Sequence, residues 1–211
     1  MRLTNNTTGF SDNISGSPIN NVITLNEASS IRASFREVIV KSTAYLARVS
    51  KNSDLRIVTP TTFILSPFIT FESGSNGFLV NNSRLTYNGT NLTGIGGICF
   101  AVSNDSLLVI NGPVTLNGFN KSITSASSEF TITALTSNSV TVSIEALDAT
   151  QGFISQSTLS GVNSIITNNG STVYGTSVIL NTLVAPLIAL QPPNTPTNTY
   201  TNTFQSGLII I

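Results

Sequence analysis

Residues 77–90 read GFLVNNSRLTYNGT and contain two short apolar pulses separated by a polar break. The apolar side chains that fall on one face of these pulses are Phe78, Val80, Leu85 and Tyr87. Alternation with a period of two residues predicts β-strands that bury one face. The second pulse ends in Asn88-Gly89, a dipeptide that favours a tight hairpin turn. The stretch therefore predicts two successive strands in a hairpin.

Similar apolar pulses recur along the chain from Leu55 onward. Residues 129–145, EFTITALTSNSVTVSIE, predict a second hairpin whose loop lies at 136–139. Asn-Gly occurs at positions 76, 88, 111, 117 and 169, which are 12, 23, 6 and 52 residues apart. Because these separations share no period, they argue against a β-solenoid or propeller. The expected fold is all-β, an antiparallel β-sandwich or jelly roll.

The two ends of the chain differ from its centre. Residues 1–21 are rich in Asn, Gly and Ser and predict an extended N-terminal arm, and the single β-domain is expected at 22–190. Residues 191–211 begin as a Pro/Thr/Asn segment and end in an apolar tip, which predicts an extended docking tail. The tip residues expected to make assembly contacts are Leu208, Ile209, Ile210 and Ile211.

Residues 30–51 are the one ambiguous segment. Their apolar residues at helical spacing are Ile31, Phe35, Val38, Tyr45 and Val49. The segment also contains a β-branched run that is typical of strands. We expect a short helix near 30–50, or a mixture of helix and strand.

Charge is scarce and unevenly distributed. Only 9% of the 211 residues are charged, against roughly 25% in an ordinary soluble domain. Ser, Thr and Asn contribute 29, 29 and 24 residues, and positions 149–211 contain no charged residue at all. With so much Asn, Ser and Thr, the many Asn-x-Ser/Thr triplets are expected by chance. A basic cluster at 32–56 includes Arg32, Arg36 and Arg48, for which we expect an inter-subunit or solvated face rather than nucleic-acid contact.

The side chains needed for catalysis or metal binding are largely missing. The chain has no histidine and one cysteine, which excludes Ser-His-Asp triads, the usual zinc sites and an intramolecular disulfide. Cys99 lies among apolar neighbours and predicts a buried thiol. Glu145 and Asp148 are the closest carboxylate pair, and we expect them to face solvent at a loop. The chain is therefore expected to be non-enzymatic, without a cofactor, and it has no apolar run long enough to span a membrane.

Residues 84–90, RLTYNGT, and the later FAV at 100–102 resemble a recurring pattern in virion proteins of phages and other DNA viruses. In that family a hairpin leads to a strand within a small trimeric jelly roll of tumour-necrosis-factor-like type. The resemblance implies a homotrimeric structural protein of the virion: a minor capsid, penton, spike or fibre-tip subunit that contacts other capsid proteins.

Two other hypotheses remain open. A receptor- or glycan-binding adhesin module of a tail fibre or spike would need exposed aromatic residues near polar loops, and Tyr174 and Tyr200 are the candidates. A glycosidase-like β-solenoid would rest on Glu145 and Asp148 alone.

Overall fold

The chain forms parallel β-sheets rather than an antiparallel sandwich, and it winds into a β-solenoid of about six turns. The computed structural model describes residues 2–4, 12–15, 23–34, 37–41, 45–58, 68–71, 75–88, 91–138, 141–182, 188–190 and 199–205. Every strand pairing between described residues is parallel. The strands form one 15-stranded and one 8-stranded sheet.

The strands of the N-terminal half are short. In chain order they are β1 (Arg2–Thr4), β2 (Asp12–Ser15), β3 (Ile23–Leu25), β4 (Ser30–Ser34), β5 (Glu37–Lys41), β6 (Ala47–Ser50), β7 (Asp54–Ile57), β8 (Phe68–Phe71), β9 (Phe78–Asn81), β10 (Arg84–Asn88), β11 (Asn91–Thr93) and β12 (Ile98–Ser103). The C-terminal half contains β13 (Leu107–Asn111), β14 (Val114–Asn117), β15 (Lys121–Ala126), β16 (Glu129–Thr133), β17 (Leu135–Asn138), β18 (Val142–Leu147), β19 (Gln151–Gly161), β20 (Asn163–Thr167), β21 (Thr172–Thr182), β22 (Ile188–Leu190) and β23 (Thr199–Gln205).

Each turn of the solenoid, here called a rung, places its strands on three faces. Face 1 contains β4, β7, β10, β13, β16 and the first half of β19. Face 2 contains β5, β8, β11, β14, β17 and the second half of β19. Face 3 is the smaller sheet, from β3 to β22. The long strands β19 and β21 pair along their whole length and cross from face 1 to face 2.

The antiparallel sandwich or jelly roll is wrong, and so are both hairpins. β10 pairs with β7 and β13, and β9 pairs with β6 and β12, so the two strands of residues 77–90 lie on different faces. Within 129–145, β16 pairs with β13 and β19, whereas β18 pairs with β15 and β20. Each strand pairs with the corresponding strand one rung away. The local alternation predicts which side chains are buried, but it does not determine which strand pairs with which.

The helix expected near 30–50 is also wrong. The described part of this segment contains β4, β5 and β6, each of which pairs in parallel with the next rung. The β-branched run at β5 decides the outcome, because a stiff branched side chain favours the extended backbone.

A ladder of hydroxyl residues marks the corner that leads into face 1. Its members are Ser29, Ser53, Ser83, Ser106, Ser128, Thr150 and Ser171. The residue before each member has a positive φ, which turns the chain at the corner. Along most of the ladder a backbone N–H donates to the hydroxyl of the next rung, for example Ser83 N to Ser106 Oγ at 3.2 Å. The corner therefore satisfies buried polar groups that a sharp bend would otherwise leave unpaired.

The core is one continuous column of apolar side chains between the three faces. Phe78, Tyr87 and Phe100 are fully buried and pack on one another at centroid distances of 5.2 to 5.6 Å. Cys99 is buried in the same core, as expected, and burial raises the pKa of its thiol well above the ordinary value.

The terminal segments are described only in part. Within 1–21, β1 pairs with β4 and β2 pairs with β5. Within 191–211, β23 pairs with β21. These strands add to the solenoid ladder, and residues 206–211 lie outside the described part of the chain.

Candidate functional site

Two exposed aromatic rings stand next to each other on face 1. Phe153 in β19 is 49% exposed and Tyr174 in β21 is 38% exposed. The two residues are directly opposite in the β19–β21 register, and their rings stack with centroids 5.1 Å apart and planes 14° from parallel. An exposed aromatic pair leaves apolar surface in water, which makes it the first candidate for ligand contact.

The stacking covers only one face of the Phe153 ring. The face of Phe153 that points away from Tyr174 looks over β16, where the residue opposite in register is Thr131. Thr131 is exposed and much smaller than a phenyl ring. The change from Thr131 to Phe153 along the outward column therefore creates a step, with the ring as its wall.

Polar side chains surround the step. On β16, Glu129 and Thr133 lie two residues to either side of Thr131 and point outward like it. Glu129 and its register partner Gln151 also line a groove of about 320 Å³ at the corner, together with Asp105. Small-molecule sites commonly combine an aromatic wall with a few polar groups that fix the orientation of the ligand.

The neighbouring face 2 presents rows of uncharged polar side chains. Thr115 and Asn117 on β14 lie beside Thr136 and Asn138 on β17, and Asn138 Nδ2 donates to Asn117 Oδ1 at 2.8 Å. β19 and β21 contain no charged residue. The surface around the aromatic pair on these strands is thus neutral.

The arginines expected to make assembly contacts do not form one cluster. Arg32 lies exposed on face 1, where Arg56 is its register partner on the next rung. Arg48 is exposed on face 3. Arg36 and the four tip residues Leu208 to Ile211 lie outside the described residues.

Glu145 and Asp148 have separate partners. Glu145 lies within β18 and pairs with Lys121, whose Nζ is 2.7 Å from Oε2, while Thr124 donates to the same oxygen at 3.2 Å. Asp148 is exposed at the corner and accepts from Asn169 Nδ2 at 2.8 Å. Contrary to expectation, Glu145 is half-buried on a strand, so the two carboxylates do not form a matched pair at one loop.

In the described part of the chain, no three His, Cys, Asp or Glu side chains come together as a metal site would require. No helix among those residues has the length and apolar character to cross a membrane. Comparison with protein-family models, with characterised proteins and with solved structures finds no match. The fold itself defines the class of protein: a parallel β-solenoid with an exposed aromatic pair.

Sequence reasoning identified Tyr174 but missed its partner. Tyr200 lies opposite Val173 in register, one position away from Tyr174, and its strand is β23. Phe153 is the stacking partner instead. The signal was present in the sequence, because Phe153 and Tyr174 are 21 residues apart, the same separation as Thr150 and Ser171 in the corner ladder.

Proposed function

We propose that the protein is a non-enzymatic glycan-binding module, the receptor-binding or adhesin function that the sequence left open. The observation that supports it is the stacked pair of Phe153 and Tyr174, exposed beside the polar outward residues of β16 and β19. The C–H groups on the apolar side of a sugar ring carry partial positive charge and pack against the negative face of an aromatic ring. Hydroxyl and amide side chains around the pair supply hydrogen bonds.

The charge distribution favours a neutral glycan over a nucleic acid. Bases also stack on aromatic rings, but proteins that bind single strands place those rings in a positively charged groove. On β16, β19 and β21 the one charged side chain is Glu129. A phosphate backbone laid along these strands would meet no cation and one carboxylate.

The proposal is tested with an array of neutral oligosaccharides, followed by calorimetric titration of the strongest ligand. We expect Phe153→Ala and Tyr174→Ala to weaken binding about tenfold or more, which corresponds to about 1.4 kcal/mol. The matched control is Ile95→Ala, which removes a 63% exposed apolar side chain from a loop between faces 2 and 3. If the wild-type chain binds no glycan, or if all three variants bind alike, the proposal is wrong.

A second candidate is a self-assembling structural subunit of a virion, such as a minor capsid, penton, spike or fibre-tip protein. The jelly-roll fold that the resemblance implied is wrong, since β10 pairs in parallel with β7 and β13. What favours assembly is the uncharged surface of β19 and β21 together with Ile179, which is 39% exposed on face 2. A surface without charge is well suited to burial against other subunits.

Assembly is tested by light scattering on the full chain and on Ile179→Lys and a deletion of 208–211. If apolar contacts hold a homo-oligomer together, both variants lower the mass at a given concentration. An unchanged mass in both variants argues against this candidate, and a monomeric wild-type chain excludes self-assembly.

A further inference from the structure

We infer that the step between Thr131 and Phe153 is a subsite for one pyranose ring, bound by its apolar side to the free face of Phe153. This inference rests on the proposed glycan-binding function and assigns the ligand a position within it. Tyr174 then acts mainly as a support, because its ring covers the other face of Phe153.

The register along face 1 explains why the subsite lies at this rung. The outward residues on successive strands are Val109, Thr131, Phe153 and Tyr174. Neighbouring strands are about 4.8 Å apart, so a ring that stands on Thr131 contacts the phenyl ring beside it. The side chain of Val109 bounds the subsite on its other side.

Hydrogen-bonding groups lie where the hydroxyls of such a sugar would be. Glu129 and Thr133 are each two residues from Thr131, about 7 Å along the strand in either direction. A carboxylate accepts two hydrogen bonds from neighbouring hydroxyls and binds them more strongly than a neutral acceptor does. The corner groove lined by Glu129 and Gln151 leaves room for a second sugar beyond that end.

The decisive variant fills the step without removing any aromatic ring. Thr131→Phe extends the stack by one ring and covers the free face of Phe153, so we expect it to weaken binding of the strongest neutral oligosaccharide from the array at least tenfold. Its matched control is Thr136→Phe, the same change on face 2 of the same rung. Glu129→Gln keeps the shape of the side chain and removes its negative charge, and we expect the affinity for the oligosaccharide to fall severalfold.

The outcomes separate the subsite from the function. If Thr131→Phe binds as the wild-type chain does while Phe153→Ala does not, the glycan function stands and the subsite is wrong. If the wild-type chain binds no neutral oligosaccharide, both are wrong. If Thr136→Phe weakens binding as much as Thr131→Phe, the ligand does not lie at the step. Equal urea midpoints for the variants and the wild-type chain confirm that a lost affinity is not lost folding.

Discussion

At the scale of single residues, one part of the core places a large side chain opposite a glycine on the next rung. Phe130 and Gly152 are opposite each other in register, and Phe130 is fully buried. A Cβ at position 152 would overlap the Phe130 ring. Gly152 is therefore present to leave space, since its φ lies outside the left-handed region and any residue could adopt its backbone.

Gly152→Ala should destabilise the fold by about 1–3 kcal/mol, because overpacking forces a buried ring out of its position. Phe130→Leu should partly restore stability in the double variant, since Leu85 and Leu108 occupy the equivalent position on the two preceding rungs. Urea unfolding of both single variants and the double variant measures the coupling. Additive effects of the two changes would contradict the pairing.

At the scale of structural elements, the corner before face 1 is a three-residue device repeated on each rung. The triplets Asn81–Ser83, Asn104–Ser106 and Asn169–Ser171 each end in a ladder residue. The residue before the ladder hydroxyl turns with a positive φ, which Asn, Asp and Gly tolerate best. The Asn-x-Ser triplets that composition alone makes common are, at these three places, a structural motif.

Ser106→Ala should cost about 1–3 kcal/mol, because Ser83 N–H and the Ser103 carbonyl lose a buried partner. Ser106→Thr keeps the hydroxyl, and Thr150 occupies the same corner position naturally. We expect the threonine variant to lose less stability than the alanine variant in urea unfolding. If the two variants lose the same amount, the hydroxyl ladder does not stabilise the corner.

The sequence predicts the strands and their buried faces but not their partners. Phe78, Val80, Leu85 and Tyr87 are all buried as the alternation predicts. The turn signal misled, because the Asn-Gly pairs lie at different corners. Gly112 lies between faces 1 and 2, Gly118 between faces 2 and 3, and Gly170 between faces 3 and 1. The separations between Asn-Gly pairs therefore do not equal the number of residues in a rung. The ladder hydroxyls all lie at one corner, and their separations of 24, 30, 23, 22, 22 and 21 residues do give the rung length.

At the scale of the whole molecule, a parallel β-solenoid produces the same alternation of apolar and polar residues as an antiparallel sheet. Most parallel sheets are covered on both sides and contain continuous apolar runs, so alternation suggests antiparallel pairing. A solenoid leaves the outer side of each parallel sheet in water, which restores alternation in every strand. The aromatic step was missed because its residues come together only when the rung length is known, and the irregular Asn-Gly spacing concealed that length.

A solenoid in which each rung contacts its neighbours should tolerate the loss of one whole rung. Deletion of residues 107–128 joins Ser106 to Glu129 and exchanges one ladder corner for the next, so every later strand keeps its face. We expect a parallel β-solenoid with cooperative unfolding, a urea m-value lower by about one sixth, and a maximum dimension shorter by about 4.8 Å in small-angle scattering. The full-rung deletion also costs some stability, because it removes Lys121, the ion-pair partner of Glu145.

Deletion of 107–117 is the control, because it removes only half a rung. It joins Ser106, at the corner that leads into face 1, to Gly118, at the corner between faces 2 and 3. The strands that follow then no longer lie on their own faces, and we expect cooperative unfolding to be abolished. If the full-rung deletion unfolds as poorly as the half-rung deletion, the chain is not built from interchangeable rungs.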